Sequence, residues 1–165
     1  YAHPAFSPDG ARVAASRHES RGDRVRNTVR VLDADTGREL VAIDFDPKGS
    51  DPLEQVAFSA DGAKVLARSA GRTVKVFDAV TGKPAGELLH PGRPFVTGMA
   101  VHPTGVVASS RNNGTVCLWD LSTMELVRTL DWTLGKLVSV AFAPDGSIGA
   151  AGTEDGRLVV WDVDL

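Results

Sequence analysis

The chain has 165 residues, 42% hydrophobic and 24% charged, with 18 basic against 21 acidic side chains for a net charge of −3. That apolar content can bury a core and excludes a disordered or fibrous chain. The charge balance gives no pull toward nucleic acid or anionic lipid, no apolar run nears the ~20 residues of a membrane span, and the single cysteine, Cys117, excludes an internal disulfide and favours a reducing, cytoplasmic setting.

In chain order, four units follow one plan. The first, over about 1–46, opens on Ala5-Phe6-Ser7-Pro8-Asp9-Gly10, passes through Val13-Ala14-Ala15 and reaches Val29-Arg30-Val31-Leu32-Asp33. The second, 47–90, answers with Ala57-Phe58-Ser59-Ala60-Asp61-Gly62 and Val74-Lys75-Val76-Phe77-Asp78. The third, 91–131, is the clearest: β-branched and aromatic stretches predict strands at 94–101, 106–110, 115–119 and 125–130, with turns at Pro103-Thr104-Gly105, Asn112-Asn113-Gly114 and Asp120-Leu121-Ser122-Thr123. The fourth, 132–165, carries Ala141-Phe142-Ala143-Pro144-Asp145-Gly146 and Leu158-Val159-Val160-Trp161-Asp162, and stops after a third strand. The closing aspartates stand at 33, 78, 120 and 162, intervals of 45, 42 and 42 residues. Fixed self-similarity at this period, with four short strands per unit and no helical periodicity, predicts an all-β fold of propeller blades, each a four-stranded antiparallel meander stacked on its neighbours.

These phrases resemble the WD-repeat family of β-propellers over nearly the whole chain. The marks are Ser7-Pro8-Asp9-Gly10 and its copies, the Asn113-Gly114-Thr115 and Glu154-Asp155-Gly156 turns, and the Trp-Asp pairs at 119–120 and 161–162. The resemblance implies a bracing tetrad of His, Ser/Thr, Asp and Trp in each blade. Here the matching Ser/Thr positions read Ala15, Ala67, Ser109 and Ala151, the Asp positions Arg26, Gly71, Asn113 and Asp155, and the Trp positions Leu32, Phe77, Trp119 and Trp161. His90 is the candidate histidine of the third blade, and no blade has a complete set, so apolar stacking is expected to brace the blades more than that network. Family rings commonly have seven or eight blades. The chain is therefore expected to be a part of a larger propeller, its C-terminal portion, with closure as a homodimer through unpaired blade edges as the competing reading.

The sequence offers little catalytic material, and no enzyme, cofactor or metal site is expected. Gly135-Lys136 lacks the rest of a phosphate loop, His18-Glu19 lacks the second histidine of a zinc-protease helix, and His3, His18, His90 and His102 fall in different units without ligand spacing. His3 and His102 each precede a proline at equivalent strand ends and read as repeat-encoded structure. The aspartates before Gly10, Gly62 and Gly146 recur with the period and read as turn formers.

Departures from the period point to where a partner docks. The second-to-third-strand link is three residues in the later units but swells in the first into an apparent loop, Arg17 to Asn27. From Ser16 to Val31 five arginines outweigh Glu19 and Asp23, a local charge of +3, whereas the stretch from Asp44 to Glu54 carries −3. The two stretches either pair with each other or leave the arginines to an acidic peptide, phosphopeptide or phosphate, which guanidinium forks suit. Candidate docking residues are Arg17, His18, Arg21, Arg24 and Arg26, joined by Arg68, Arg72, Arg93 and Arg111 at strand ends and links, and by Trp132, which reads either as a hot-spot aromatic or as a cap over the blade interface. The expected function is a non-catalytic scaffold for protein or peptide partners, with no nucleic-acid or membrane role. The alternative is a regulatory or sensor propeller fused to an upstream kinase, protease or nucleotide-driven switch. The Ala-, Arg-, Asp- and Gly-rich wording fits a bacterial source.

Overall fold

A computed structural model describes residues 4–21, 24–45, 53–92 and 94–163, with the backbone alone at 18–21, 24 and 25. Among these residues every regular element is a strand, and the strands form four antiparallel sheets. The first runs β1 (Ala5–Phe6), β2 (Arg12–Arg21), β3 (Arg24–Asp33) and β4 (Glu39–Asp44) in spatial order. The second comprises β5 (Leu53–Phe58), β6 (Lys64–Ser69), β7 (Thr73–Asp78) and β8 (Pro84–Leu89); the third β9 (Val96–Val101), β10 (Val106–Arg111), β11 (Thr115–Asp120) and β12 (Glu125–Asp131). The fourth has three strands among the described residues, β13 (Leu137–Phe142), β14 (Ile148–Thr153) and β15 (Leu158–Asp162). Each sheet is a sequential meander, as expected of propeller blades. The chain divides into two compact units, Tyr1–Glu87 and Leu88–Leu165.

Register irregularities recur as faithfully as the sequence phrases. A bulge offsets the first strand at Leu53/Gln55 in the second sheet and at Leu137/Ser139 in the fourth, and another offsets the outer strand at Val31/Leu32 and Leu118/Trp119. Bulges that repeat with the period are part of the blade plan and increase its local twist.

Alternation along the strands builds the cores. In the first unit Ala14, Val29, Val31 and Ile43 of the first sheet meet Val56, Phe58, Val65 and Ala67 of the second. In the second unit Ala108, Val116 and Leu118 meet Leu137 and Ala151, with Trp132, Phe142 and Trp161 packed against them. The sheets approach closely where side chains are absent: a Cβ on Gly98 would lie 3.3 Å from the Ser139 Cα.

The Ser-Pro-Asp-Gly phrase is a turn held by its own side chains. Ser7 Oγ donates to Asp9 (2.5 Å), the Ala11 N–H donates to the same carboxylate (3.0 Å), and the Arg12 N–H donates to Ser7 Oγ (2.9 Å). Ser59, Asp61 and Lys64 repeat the pattern. Gly10 and Gly62 take φ of 72° and 69°, open to glycine without strain. Two of these turns are tied to the sheet before them. In the first unit Arg12 Nη2 donates to the Gly62 carbonyl (2.8 Å) with its guanidinium over the Phe58 ring. In the second unit the donor at the equivalent carbonyl is His102 Nε2, 2.9 Å from Gly146 O, its ring edge-on to Phe142. Thr104 N–H donates to His102 Nδ1 (3.1 Å), so Nε2 carries the proton. His102 thus has the structural role expected of it, and His3 lies outside the described residues.

The third sheet assembles three of the four tetrad members. Trp119 Nε1 donates to Ser109 Oγ (2.9 Å), Ser109 Oγ lies 2.7 Å from His90 Nε2, and His90 Nδ1 lies 3.1 Å from the Leu88 carbonyl. A carbonyl can only accept, which places the His90 proton on Nδ1 and makes Ser109 the donor to Nε2. Asn113, at the Asp position, accepts from Thr115 Oγ1 instead. In the fourth sheet Ala151 stands where Ser109 does, and Trp161 Nε1 is buried with no acceptor among the described residues.

One expectation is corrected. Arg17–Arg21 and Arg24–Asn27 are strand rather than loop. β2 and β3 are each ten residues long and pair without a break from Arg12↔Asp33 to Arg21↔Arg24. The polar, arginine-rich wording hides the strand because no apolar alternation marks it, yet backbone hydrogen bonds extend the ladder regardless.

Candidate functional site

The β2–β3 hairpin is where the first sheet departs most from its siblings. β6, β7, β10 and β11 are six residues long, so at ~3.3 Å per residue the ten-residue strands run about 13 Å further. Register divides the hairpin into two sides. Ala14, Val29 and Val31 lie on the side packed against the second sheet. The pairs Ala15↔Arg30, Arg17↔Thr28, Glu19↔Arg26 and Arg21↔Arg24 lie on the other. This outer side continues onto Phe6, which pairs with Val13 and is 66% exposed.

Two ion pairs hold Arg26 and Arg30 here. Arg26 reaches Asp44 Oδ2 through Nε (3.2 Å) and Nη2 (2.7 Å), and Arg30 Nη1 lies 3.1 Å from Glu39 Oε2. Arg26 with Asp44 realises one pairing between the basic and acidic stretches. Both pairs are open to solvent and add little stability, typically under about 1 kcal/mol each. Arg30 Nε is buried and has no hydrogen-bond partner among the described residues. The equivalent cation of the second sheet, Lys75, donates to the Phe45 carbonyl (3.2 Å) and sits over that ring.

The remaining candidates divide by burial. Arg17 is exposed on β2, and Arg72 is exposed in the turn between β6 and β7. His18 and Arg21 lie on β2 and Arg24 on β3, with their side chains outside the description, and Arg93 lies outside the described residues. Arg68 and Arg111 are buried, which corrects their placement on an open face. Arg68 Nη1 bonds Glu54 (2.5 Å), so this acidic-stretch carboxylate is also engaged. Arg111 Nε donates to Thr115 Oγ1 (2.7 Å) and Nη1 to the Pro91 carbonyl (3.1 Å), which locks the Asn112-Asn113-Gly114 turn. Trp132 is half-buried on Trp161, ring centroids 5.1 Å apart, as the capping alternative requires. Arg12 and Lys75, whose bonds join the two sheets of the first unit, escaped the sequence reading, because their partners lie 50 and 30 residues away and no local pattern marks the contact.

Several aspartates are committed to turns. Asp9 and Asp61 are held below the ordinary carboxylate range by the hydroxyls of Ser7 and Ser59, and Asp145 by the backbone and hydroxyl of Ser147. Asp155 is lowered to about 2 by the Arg157 guanidinium and then the Thr153 hydroxyl. Burial pushes the Cys117 thiol up. Carboxylates fixed as anions in turns are poor proton acceptors. Among the described residues no three potential metal ligands converge.

Residues 82–120 and 124–162 match the family described as WD domain, G-beta repeat. The first match spans β8 to β11 and the second β12 to β15, so each takes the outer strand of one blade with the inner three of the next. The chain belongs to the WD-repeat family. It is 23% identical to the Protein LST8 homolog of Drosophila melanogaster over 95% of this chain and 48% of that protein. It is 31% identical to WD repeat-containing protein SL1-17 of Schistosoma mansoni, over 82% and 44%, and 28% identical to the Target of rapamycin complex subunit wat1 of Schizosaccharomyces pombe, over 81% and 42%. The WD-repeat chain thus spans less than half the length of each of these relatives.

Proposed function

We propose that this WD-repeat chain is a non-catalytic scaffold that docks a protein or peptide partner through the lengthened β2–β3 hairpin of its first blade, as part of a larger ring. The observation that carries the reading is the lengthened β2–β3 hairpin, which breaks a repeat that the other sheets keep. Insertions on one element of a repeat array are the usual location of binding surface, because the shared plan already supplies the fold. Asp9, Asp61, Asp145 and Asp155 are engaged in turns, and Arg12 and Lys75 in bonds between sheets. A relative named as a subunit of a complex supports a scaffold role here. The buried lone thiol of Cys117 supports a reducing, cytoplasmic setting.

The test is affinity capture with chemical cross-linking on the intact protein and on a variant in which residues 17–28 are replaced by a short Asn-Gly turn like those of the other sheets. The scaffold reading expects partners cross-linked to the hairpin, and their loss from the trimmed variant while circular dichroism stays unchanged. Identical capture by both proteins would move the docking surface elsewhere.

A further inference from the structure

We propose that Asn113 is a self-deamidating residue, whose conversion to aspartate supplies the counter-charge that the buried guanidinium of Arg111 lacks. Two turns of the second unit use the same side-chain types in a different order. In the fourth sheet the Asp155 carboxylate accepts from Thr153 Oγ1 (2.5 Å) and Arg157 Nε (2.9 Å). In the third sheet arginine and threonine exchange places, as Arg111 and Thr115, and Asn113 stands where Asp155 does. Thr115 Oγ1 donates to Asn113 Oδ1 (2.8 Å), while Arg111 donates through Nε to that hydroxyl (2.7 Å) and through Nη1 to the Pro91 carbonyl (3.1 Å).

Both acceptors of Arg111 are neutral. The side chain is buried, 4% exposed, and the ion pairs of the second unit among the described residues, Lys136 with Glu154 and Arg157 with Asp155, leave it out. A buried charge without an opposite charge is costly. A carboxylate at position 113 stands one hydroxyl away from the guanidinium, at the end of a hydrogen-bonded chain that already exists.

The chemistry needs only water. Asn113 is exposed and precedes a glycine, which has no side chain to shield its nitrogen. The Gly114 N–H closes the turn on the Arg111 carbonyl at 3.2 Å, the long end of the usual range. Attack of Gly114 N on Asn113 Cγ forms a succinimide, and Nδ2 leaves as ammonia with the Gly114 proton. Water then opens the ring. Addition at Cγ gives aspartate on the original backbone, whereas addition at the Asn113 backbone carbonyl gives isoaspartate, with a main chain one carbon longer. The fold selects between them. A Cβ on Gly114 would lie 2.7 Å from Gly135 O, so this glycine is pressed onto the loop before the fourth sheet, and a longer main chain has no room.

Peptide mapping by mass spectrometry of the intact protein, incubated at mildly alkaline pH in heavy-oxygen water, tests this. Position 113 should take up the label roughly ten-fold faster than Asn27 and Asn112, whose following residues carry a Cβ. Aspartate should outweigh isoaspartate in the folded protein, and isoaspartate should predominate in the urea-unfolded chain. Asn113→Asp should raise the folded-to-unfolded ratio about five-fold, the difference between a neutral and a charge-assisted hydrogen bond, and the gain should vanish in an Arg111→Gln background. The assignment is overturned by an amide retained at 113 in the folded protein, or by the same isoaspartate share in folded and unfolded chains. An Asn113→Asp protein no more stable than its parent, or a gain that survives Arg111→Gln, overturns it equally.

Discussion

Replacing Ser109 with alanine is the sharpest probe of how the blades are held. The hydroxyl is fully buried and joins two side chains, accepting from Trp119 Nε1 (2.9 Å) and donating to His90 Nε2 (2.7 Å). Alanine removes only the hydroxyl but leaves a buried indole donor and imidazole acceptor without the group that joined them. Each buried orphan costs about 1–3 kcal/mol, so we expect Ser109→Ala to destabilise by roughly 2–4 kcal/mol. For a chain of this size that lowers Tm by roughly 5–15 °C. Urea unfolding followed by tryptophan fluorescence measures it, and the m-value should stay constant if only stability has changed. The cycle with Trp119→Phe separates hydrogen bonding from packing: once the indole donor is gone, Ser109→Ala should cost visibly less, a positive coupling between the two sites. A loss under about 0.5 kcal/mol, within the range of ordinary surface substitutions, would refute the hub and return blade stability to apolar stacking alone.

Other substitutions test the remaining contacts. Ala151→Ser places a hydroxyl where Trp161 Nε1 lacks an acceptor and should raise stability by about 1 kcal/mol in the same urea assay. Gly146→Ala should cost more than Gly156→Ala, since both glycines have positive φ but only the first would drive a Cβ to 2.3 Å from His102 Nε2; His102→Ala should bring the two costs together. Gly149→Ala would meet the Trp161 indole at 2.2 Å and should push it off Trp132, read as a change in near-ultraviolet circular dichroism with the far-ultraviolet signal retained. Acid should destabilise the protein. The turn aspartates have folded pKa values below their unfolded ones, so their contribution is complete above about pH 4–5 and is lost as pH falls toward the folded values, about 2 for Asp155. Asp155→Asn should flatten the lowest part of the Tm profile, and a protein that gained stability below pH 4 would contradict the assignment.

The repeat was legible because a blade imposes the same local physics four times. Ser7-Pro8-Asp9-Gly10 and Ala141-Phe142-Ala143-Pro144-Asp145-Gly146 announce turns through glycine's freedom at positive φ and the reach of a short carboxylate, and both requirements are local. The strands predicted at 106–110 and 115–119 coincide with β10 and β11 to within a residue, since Val, Cys, Leu and Trp in alternation suit a pleated, buried surface. Contacts between sheets were less legible. Nothing local says that Arg12 reaches Gly62 or that His90 bonds Ser109, nineteen residues away, because those bonds depend on how one meander lies on another. The two extra residues before the third blade's first strand place His90 in doubt from sequence, yet they leave its ring beside Trp119, 4.7 Å between centroids.

The hairpin was misread for a reason that bears on function. A buried strand advertises itself through apolar alternation, and from Arg17 to Asn27 the only apolar residue outside the tip is Val25. Strand character there rests on the backbone ladder and on continuity with Val13–Ser16 and Val29–Leu32, which are anchored in the sheet. A segment that keeps strand geometry with so little apolar content has been relieved of core duty. Its composition is then open to other demands, and what it holds is five arginines on one side, two of them opposed at the tip. Selection for folding would place a carboxylate or a threonine opposite Arg21. Arg24 stands there instead, so the tip of the hairpin is where the sequence departs furthest from what sheet pairing alone would select.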